Sequence, residues 1–358
     1  MRRKRRFRAC ELIMIARNNW ICLAFILVIG CGAPAGPRHT LASPATHSTS
    51  IPTGANLGYI WRSSDSTVRA ISGVPGSAHI EEPMFAAHKY RNAAASVRSN
   101  TILLEDGNGN LWMYRPKQDV QPQELLSGFT QPSQIVFAPS GDPVVVFAQG
   151  SNRLIQVTGL SGAPRLSERS LHVPGSLSAA APSDDGTLLL AYKVQDGSVS
   201  IASVGADGSV SSIVSLSGFG GMSFLRGKSD ALVADNDKNV LYLLHLDGAN
   251  FALRSIASAK DGLSKPSAVA ASFDNRWAAV INENGGRLIR IDISGKSQAQ
   301  SVQCICVSTE LTPLAGEGVF QLNSGDSSPV WLADLAANQP KLFFIPFSFA
   351  QPSGTKEK

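Results

Sequence analysis

Residues 188–204 read LLLAYKVQDGSVSIASV. An apolar run, a polar turn at Gln195-Asp196-Gly197 and a second apolar run follow one another. Leu, Val, Ile and Tyr suit extended backbone, while Asp and Gly supply the positive φ angles and local hydrogen bonds of a tight turn. The stretch predicts a β-hairpin. Five others share its outline: TILLEDGNGNLWMYR from Thr101, VVVFAQGSNRLIQVT from Val144, ALVADNDKNVLYLLHL from Ala231, AAVINENGGRLIRIDI from Ala278 and VWLADLAANQPKLFFIP from Val330. Aligning their first strands places Leu104, Val146, Leu190, Val233, Val280 and Leu332 at one position, at intervals of 42, 44, 43, 47 and 52 residues. No long segment carries a 3.6-residue period, so the chain is expected to be all-β and repetitive.

A period of about 45 residues made of strands is the size of one four-stranded propeller blade. Further strands are expected before each pair after the first, at residues 134–138, 179–181, 222–225, 268–272 and 318–322. Others follow, as at residues 166–171, 210–216, 252–257 and 300–307. One blade cannot bury both its faces; radial stacking does so, and closing the ring removes exposed edges. The last repeat lacks an evident fourth strand after Phe347, and residues 57–72 hold two strands without a full blade. The expectation is therefore a β-propeller of six blades, its ring closed by the N-terminal strands completing the C-terminal blade. Seven blades is the alternative, with the N-terminal piece and residues 84–90 forming part of another. A pair of β-sandwiches does not explain the period.

The segments FAPSGDPVVVF from Phe137, APSDDGTLLLAY from Ala181 and ASFDNRWAAVI from Ala271 carry a loose Ser-Pro-Asp-Gly turn ahead of an apolar strand. In this the chain resembles extracytoplasmic bacterial β-propellers of the WD40-like and YVTN-like repeat type, over residues 57–350. The repeats are degenerate, with no WD dipeptide and no YVTN tetrad. The resemblance implies fold and location and brings no catalytic residue with it.

Composition fits an ordered chain. Among 358 residues, 43% are apolar and 16% charged, which excludes wholesale disorder, and 32 Gly with 20 Pro point to many turns. The net charge of +5 first suggests a polyanionic partner. Seven of the 32 basic residues, however, are Arg2, Arg3, Lys4, Arg5, Arg6, Arg8 and Arg17. Setting aside residues 1–31, with Glu11 their one acid, leaves 25 basic and 26 acidic residues, a net −1. No basic cluster remains for phosphates, so nucleic acid is not an expected partner.

The basic start runs into WICLAFILVIG, residues 20–30, too short for the roughly 20 residues of a spanning helix. This is the anatomy of a secretory signal. Val28-Ile29-Gly30-Cys31 resembles the lipobox of bacterial lipoproteins, which implies lipidation at Cys31. Cleavage near Ala33 or Ala35, or a retained signal anchor, are the alternatives. Residues 32–55, rich in Gly, Ala, Pro, Ser and Thr, read as a disordered tether. The expected organisation is signal peptide 1–31, tether 32–55, propeller 56–350 and disordered tail 351–358. The protein is expected to be exported and membrane-anchored on the periplasmic or extracellular side, or otherwise secreted.

Candidate sites are few. Asp106-Gly-Asn108-Gly-Asn110 and Asp235-Asn-Asp237-Lys-Asn239 place oxygen ligands at alternate positions, as Ca²⁺ requires, but lack a clear bend glycine and distant bidentate acid together. Hairpin-turn chemistry explains the same residues. Cys304 and Cys306 fall two apart in a β-branched strand, on one face, and are expected to be buried thiols; a strained disulfide or a metal or redox role are the alternatives. Trp61, Trp112, Trp277 and Trp331 are expected to pack between blades rather than to stack on sugars. No H-E-x-x-H, G-x-S-x-G or Walker-type loop occurs. The resulting reading is a non-enzymatic binding or scaffold propeller without a cofactor, presenting a loop face to a protein or glycan of the cell envelope. The alternative is a propeller-type hydrolase or lactonase with a divalent metal in the central channel. Acids converging on the channel favour the enzyme; an apolar or Ser/Ala lining favours the scaffold.

Overall fold

The computed structural model describes residues 55–85, 88–128, 134–205, 207–248, 250–284, 286–304, 310–327 and 329–346. The residues expected to form a signal sequence ending at Cys31, a tether (32–55) and a tail (351–358) lie outside them, apart from Ala55. The chain divides into two compact units, residues 1–46 and His47–Lys358, and every described residue belongs to the second.

Seven antiparallel sheets form the blades of a propeller. Among the described residues blade 1 has three strands: β1 (Asn56–Arg62), β2 (Thr67–Ser72) and β3 (His79–Pro83). Blade 2 is β4 (Tyr90–Ser96), β5 (Thr101–Asp106), β6 (Leu111–Tyr114) and β7 (Gln123–Leu126). Blade 3 is β8 (Gln134–Phe137), β9 (Val144–Phe147), β10 (Arg153–Thr158) and β11 (Arg165–Ser170). Blade 4 is β12 (Ser176–Pro182), β13 (Leu188–Lys193), β14 (Val199–Val204) and β15 (Val210–Leu216). Blade 5 is β16 (Met222–Phe224), β17 (Asp230–Asp235), β18 (Val240–Asp247) and β19 (Asn250–Ala257). Blade 6 is β20 (Pro266–Ala271), β21 (Trp277–Asn282), β22 (Arg287–Asp292) and β23 (Gln300–Gln303). Blade 7 is β24 (Thr312–Pro313), β25 (Val319–Gln321), β26 (Val330–Asp334) and β27 (Lys341–Ile345). Strand order follows chain order in every sheet.

The unbroken apolar runs have a direct cause. Successive side chains on a strand point to opposite faces, and each blade lies between two others. In β13, Leu188 and Leu190 pack with Val145 and Phe147 of blade 3, while Leu189 and Ala191 pack with Ala231 and Val233 of blade 5. Seven such clusters occur, one per blade junction. The seventh joins Leu57, Ile60 and Ile71 of blade 1 to Leu314, Leu332 and Ile345 of blade 7, so side-chain packing closes the ring. Each Leu or Ile so buried contributes about 1.5–3 kcal/mol.

The six-bladed expectation is corrected to seven, and the N-terminal strands do not complete the C-terminal blade. Five of the six quoted hairpins are the second and third strands of their blades, but VWLADLAANQPKLFFIP supplies the third and fourth strands of blade 7. Aligning Leu332 with the others shifts the last repeat by one strand, which is why its interval of 52 stands out. The true second strand is the short β25. Blade 7 is thus complete, and β1–β3 form a blade of their own.

Candidate functional site

The turns between first and second strands gather at one end of the ring, called the upper end below. They bond to one another around it. The Asp184 carboxylate (blade 4) accepts from Ser140 N at 2.8 Å and Ser140 Oγ at 2.9 Å in blade 3, and from Gly227 N at 2.7 Å in blade 5. Asn275 (blade 6) exchanges two bonds with the Arg226 backbone of blade 5, at 2.8 and 2.7 Å. Phe273 N donates to Glu317 O of blade 7 at 2.7 Å.

A cavity of about 620 Å³ occupies the centre. The first strands of blades 2–6 line it with small or apolar residues, including Ala93, Ala94 and Ala95, Val136 and Phe137, Ala181 and Pro182, and Val269, Ala270 and Ala271. Charge collects at the two ends. At the upper end the Arg98 Cζ lies 3.5 Å and the Arg226 Cζ 3.8 Å from the centroid of the Phe273 ring. The negative face of the ring attracts both cations. Arg98 also donates through Nη2 to Leu314 O and Gly316 O. Burial lowers the pKa of Arg98 and the neighbouring Arg226 lowers it further, while Glu317 opposes both. The Arg226 side chain is exposed, and its guanidinium makes no hydrogen bond among the described residues.

At the lower end Asp326, in the loop between β25 and β26, accepts from Ser63 N (3.2 Å), Ser63 Oγ (2.5 Å) and Ser64 N (2.9 Å). Burial pushes its carboxyl up, but these hydrogen bonds prevail and hold it at about 2. Burial and Asp326 together raise the pKa of Glu310, another lining residue. The channel is therefore basic at one end, apolar along its wall and acidic at the other.

The residues singled out in sequence lie elsewhere, in turns between second and third strands. Asp106 Oδ1 accepts from Asn108 N (2.8 Å) and Asn110 N (2.9 Å), and its Oδ2 from Asn110 Nδ2 (3.0 Å) and Trp112 Nε1 (3.1 Å). Buried Asp235 accepts from the backbone of Ser217, Gly218 and Lys238 at 3.0–3.3 Å. Asn239, at φ +54°, accepts from Lys265 N at 2.5 Å. Asp237 sits beside Gly218, where a Cβ would lie 2.9 Å from its carboxylate. The Asp106, Asp235 and Asn239 side chains hold turns or join blades, and a calcium ion would have to displace the donors on them. Among the described residues no three His, Cys, Asp or Glu side chains are grouped to hold a metal.

Cys304 is buried and disulfide-bonded, so the expectation of free thiols is corrected. Cys306, the other cysteine of that expectation, lies outside the described residues. Strand β23 ends at Gln303, one residue before Cys304. The tryptophans pack as expected at Trp61 and Trp112, against the cluster between blades 1 and 2, and at Trp331, between blades 6 and 7. Sequence reading missed Arg98, Arg226 and Phe273. Their signal is positional: each falls two residues after a first strand, in the turn where blades 3 and 4 carry Pro139-Ser140 and Ser183-Asp184.

Fold and channel together define a seven-bladed β-propeller with a basic, aromatic mouth. Solved structures agree on the fold. A functionally unknown protein from Desulfotomaculum acetoxidans superposes with a TM-score of 0.58 at 13% identity, over 82% of this chain and 100% of that one. A protein from Lactobacillus plantarum gives 0.56 at 14% identity over 81% and 96%. The apo form of AztD from Citrobacter koseri gives 0.55 at 15% identity over 84% and 86%. No protein-family model matches the chain, and no curated protein does.

Proposed function

We propose that the protein is an exported, non-enzymatic binding propeller, lipid-anchored through Cys31, whose upper end receives an anionic group carried by a protein or glycan of the cell envelope. The observation that carries the reading is the Arg98–Phe273–Arg226 stack at the channel mouth. Ring stacking holds the Arg226 guanidinium in place yet leaves its N–H donors free for an oxyanion. The small, apolar channel wall supports a binding role over hydrolysis. The disulfide at Cys304 supports an oxidising compartment, where such bonds persist. Among the described residues no helix is long and apolar enough to cross a membrane.

The test is calorimetric titration of the full chain with an oligogalacturonate and an acidic peptide, beside a neutral maltooligosaccharide. Binding of an acidic probe should weaken at least tenfold in Arg226→Ala and Phe273→Ala, with the melting temperature of Arg226→Ala almost unchanged. Equal binding by the variants, or turnover of an ester or lactone by the parent, would overturn the reading.

A further inference from the structure

We propose that the upper turn of blade 6 serves two neighbouring anion subsites, one at Arg226 and a second at Arg276, and that the pair recognises a linear acidic polysaccharide with carboxylates at regular intervals. This rests on the functional reading of the channel mouth and adds to it a second subsite and a ligand class.

The first observation is a repeated device. Phe273 and Trp277 stand four positions apart, one inside the turn between β20 and β21 and one at the start of β21. Each ring is approached by two guanidiniums. Arg98 and Arg226 lie over Phe273, and the Arg290 Cζ lies 4.1 Å and the Arg276 Cζ 4.6 Å from the Trp277 ring. In each pair one arginine is tied down. Arg98 donates to Leu314 O and Gly316 O; buried Arg290 donates to Leu335 O and Asn338 O, both at 2.7 Å, and to Ala337 O and Gln300. The other arginine is free. Arg226 and Arg276 are exposed, and neither guanidinium makes a hydrogen bond among the described residues.

The second observation is that the two free arginines are held as neighbours. Asn275, next to Arg276 in sequence, accepts from Arg226 N and donates to Arg226 O, so it ties the two backbones together. The turn is itself braced. Ser272 N donates to Trp277 O and Trp277 N to Ser272 Oγ, both at 2.8 Å, while Asp274 Oδ1 accepts from Arg276 N at 3.0 Å. Four residues of backbone span at most about 14 Å, so one short oligomer can reach both stacks.

The third is charge. Burial lowers the pKa of Arg290 and the neighbouring Arg276 lowers it further, while Asp334 opposes both. Arg226 acts on Arg98 in the same sense. Like charges held over one ring favour an oxyanion beside them, and the exposed arginine of each pair has its donors available for one. Exposed Lys228, two residues beyond Arg226, adds a further cation to this rim.

The rim also discriminates between polymers. A peptide would gain by pairing its backbone, but the backbone groups here already bridge blades: Phe273 N bonds Glu317 O, the Arg226 N and O bond Asn275, and Gly227 N bonds Asp184. A polysaccharide with a carboxylate on each sugar needs only side-chain donors, and each guanidinium can grip one carboxylate through two parallel N–H groups. Once the first carboxylate is bound, the second contact is intramolecular, so affinity should climb with oligomer length.

The test is calorimetric titration of the full chain with galacturonate, tetragalacturonate and tetra-aspartate. The tetrasaccharide should bind at least tenfold more tightly than the monosaccharide or the peptide. Arg276→Ala should weaken tetragalacturonate at least fivefold and remove most of its advantage over the monosaccharide, with the melting temperature almost unchanged; Arg276→Lys, which keeps the charge, should fall between. Parent-like tetrasaccharide binding by Arg276→Ala, or no gain from monosaccharide to tetrasaccharide, would overturn the second subsite. Equal binding of tetra-aspartate would overturn the ligand class. Loss of affinity in Arg226→Ala alone would sink this proposal and leave the functional reading standing, whereas indifference to both substitutions would remove the two together.

Discussion

The junction between blades 4 and 5 and the junction between blades 7 and 1 do the same task by different means. The first joins neighbours in sequence: Leu189 and Ala191 meet Ala231 and Val233 in a strand-on-strand core, and a five-residue link from β15 to β16 holds the blades together covalently. The second joins the two ends of the ring, where no described residue links one blade to the other. It relies on the Leu57, Ile60 and Ile71 cluster, on Asp326 clasping Ser63 and Ser64, and on Gly325, set so close that an added Cβ would lie 1.9 Å from Trp61 O. Comparing them shows how the two ends of the ring meet among the described residues: apolar packing with a polar clasp at the rim.

The comparison can be broken most directly in the two cores. Leu190→Ala in blade 4 and Ile60→Ala at the closing junction should each cost about 3 kcal/mol in urea unfolding, both side chains being fully buried. An Ile60→Ala cost below about 1 kcal/mol would mean that the seam is loose. Alkali should act next, one junction away. Burial raises the hydroxyls of Tyr59 and Tyr90, between blades 1 and 2, to about 12 from an ordinary 10. Their neutral forms are favoured in the folded protein, so this contribution is complete below pH 10 and disappears as pH rises through 12. Both tyrosines are nearly inaccessible, and the loss should approach about 2 kcal/mol for each. Phenylalanine at Tyr90 should remove its share of the alkaline slope, followed by circular dichroism between pH 9 and 12.5.

Gly325→Ala should cost about 2 kcal/mol through backbone displacement at the seam, whereas Gly162→Ala, with open space around it, should leave packing undisturbed. Differential scanning calorimetry of the pair separates steric cost from general loss of glycine. The smallest effect belongs to the clasp. Asp326 is held at about 2 against an ordinary 3.8, so its contribution is present above pH 4 and is lost as pH falls toward 2. The carboxylate is exposed and screened by solvent, which limits this to about 1 kcal/mol or less. Asp326→Ala should flatten the acid limb by that amount and speed amide exchange in β1 and β2 ahead of blade 4.

Legibility followed locality. The second and third strands of blades 2–6 were readable because their two apolar faces and their turns lie within some 17 contiguous residues, as in blade 4. Blade 7 was misread because β24 and β25 have only two and three residues, and the apolar stretch beginning at Val330 copies the pattern of a second and third strand in a third and fourth. Blade 1 was misplaced because nothing in LGYIWRSSDSTVRAIS states which neighbour its strands pair with. The candidate site was less legible still. Asp106 and Asp235 attracted attention through their spacing, yet turn and backbone donors take up their carboxylate oxygens. Arg98 and Arg226 are 128 positions apart and converge on Phe273 only through ring closure.

By itself the sequence determined that this is a repetitive all-β chain whose strands are apolar on both faces, because the strand period and turn chemistry are local properties of the backbone. It also located the excess positive charge at the N-terminus, leaving the rest near neutral. Only the tertiary structure decided the number of blades, the way the ring closes, the disulfide at Cys304 and the basic mouth of the channel. Each depends on which distant segments meet, and blade-on-blade packing around an axis settles that as a property of the whole ring.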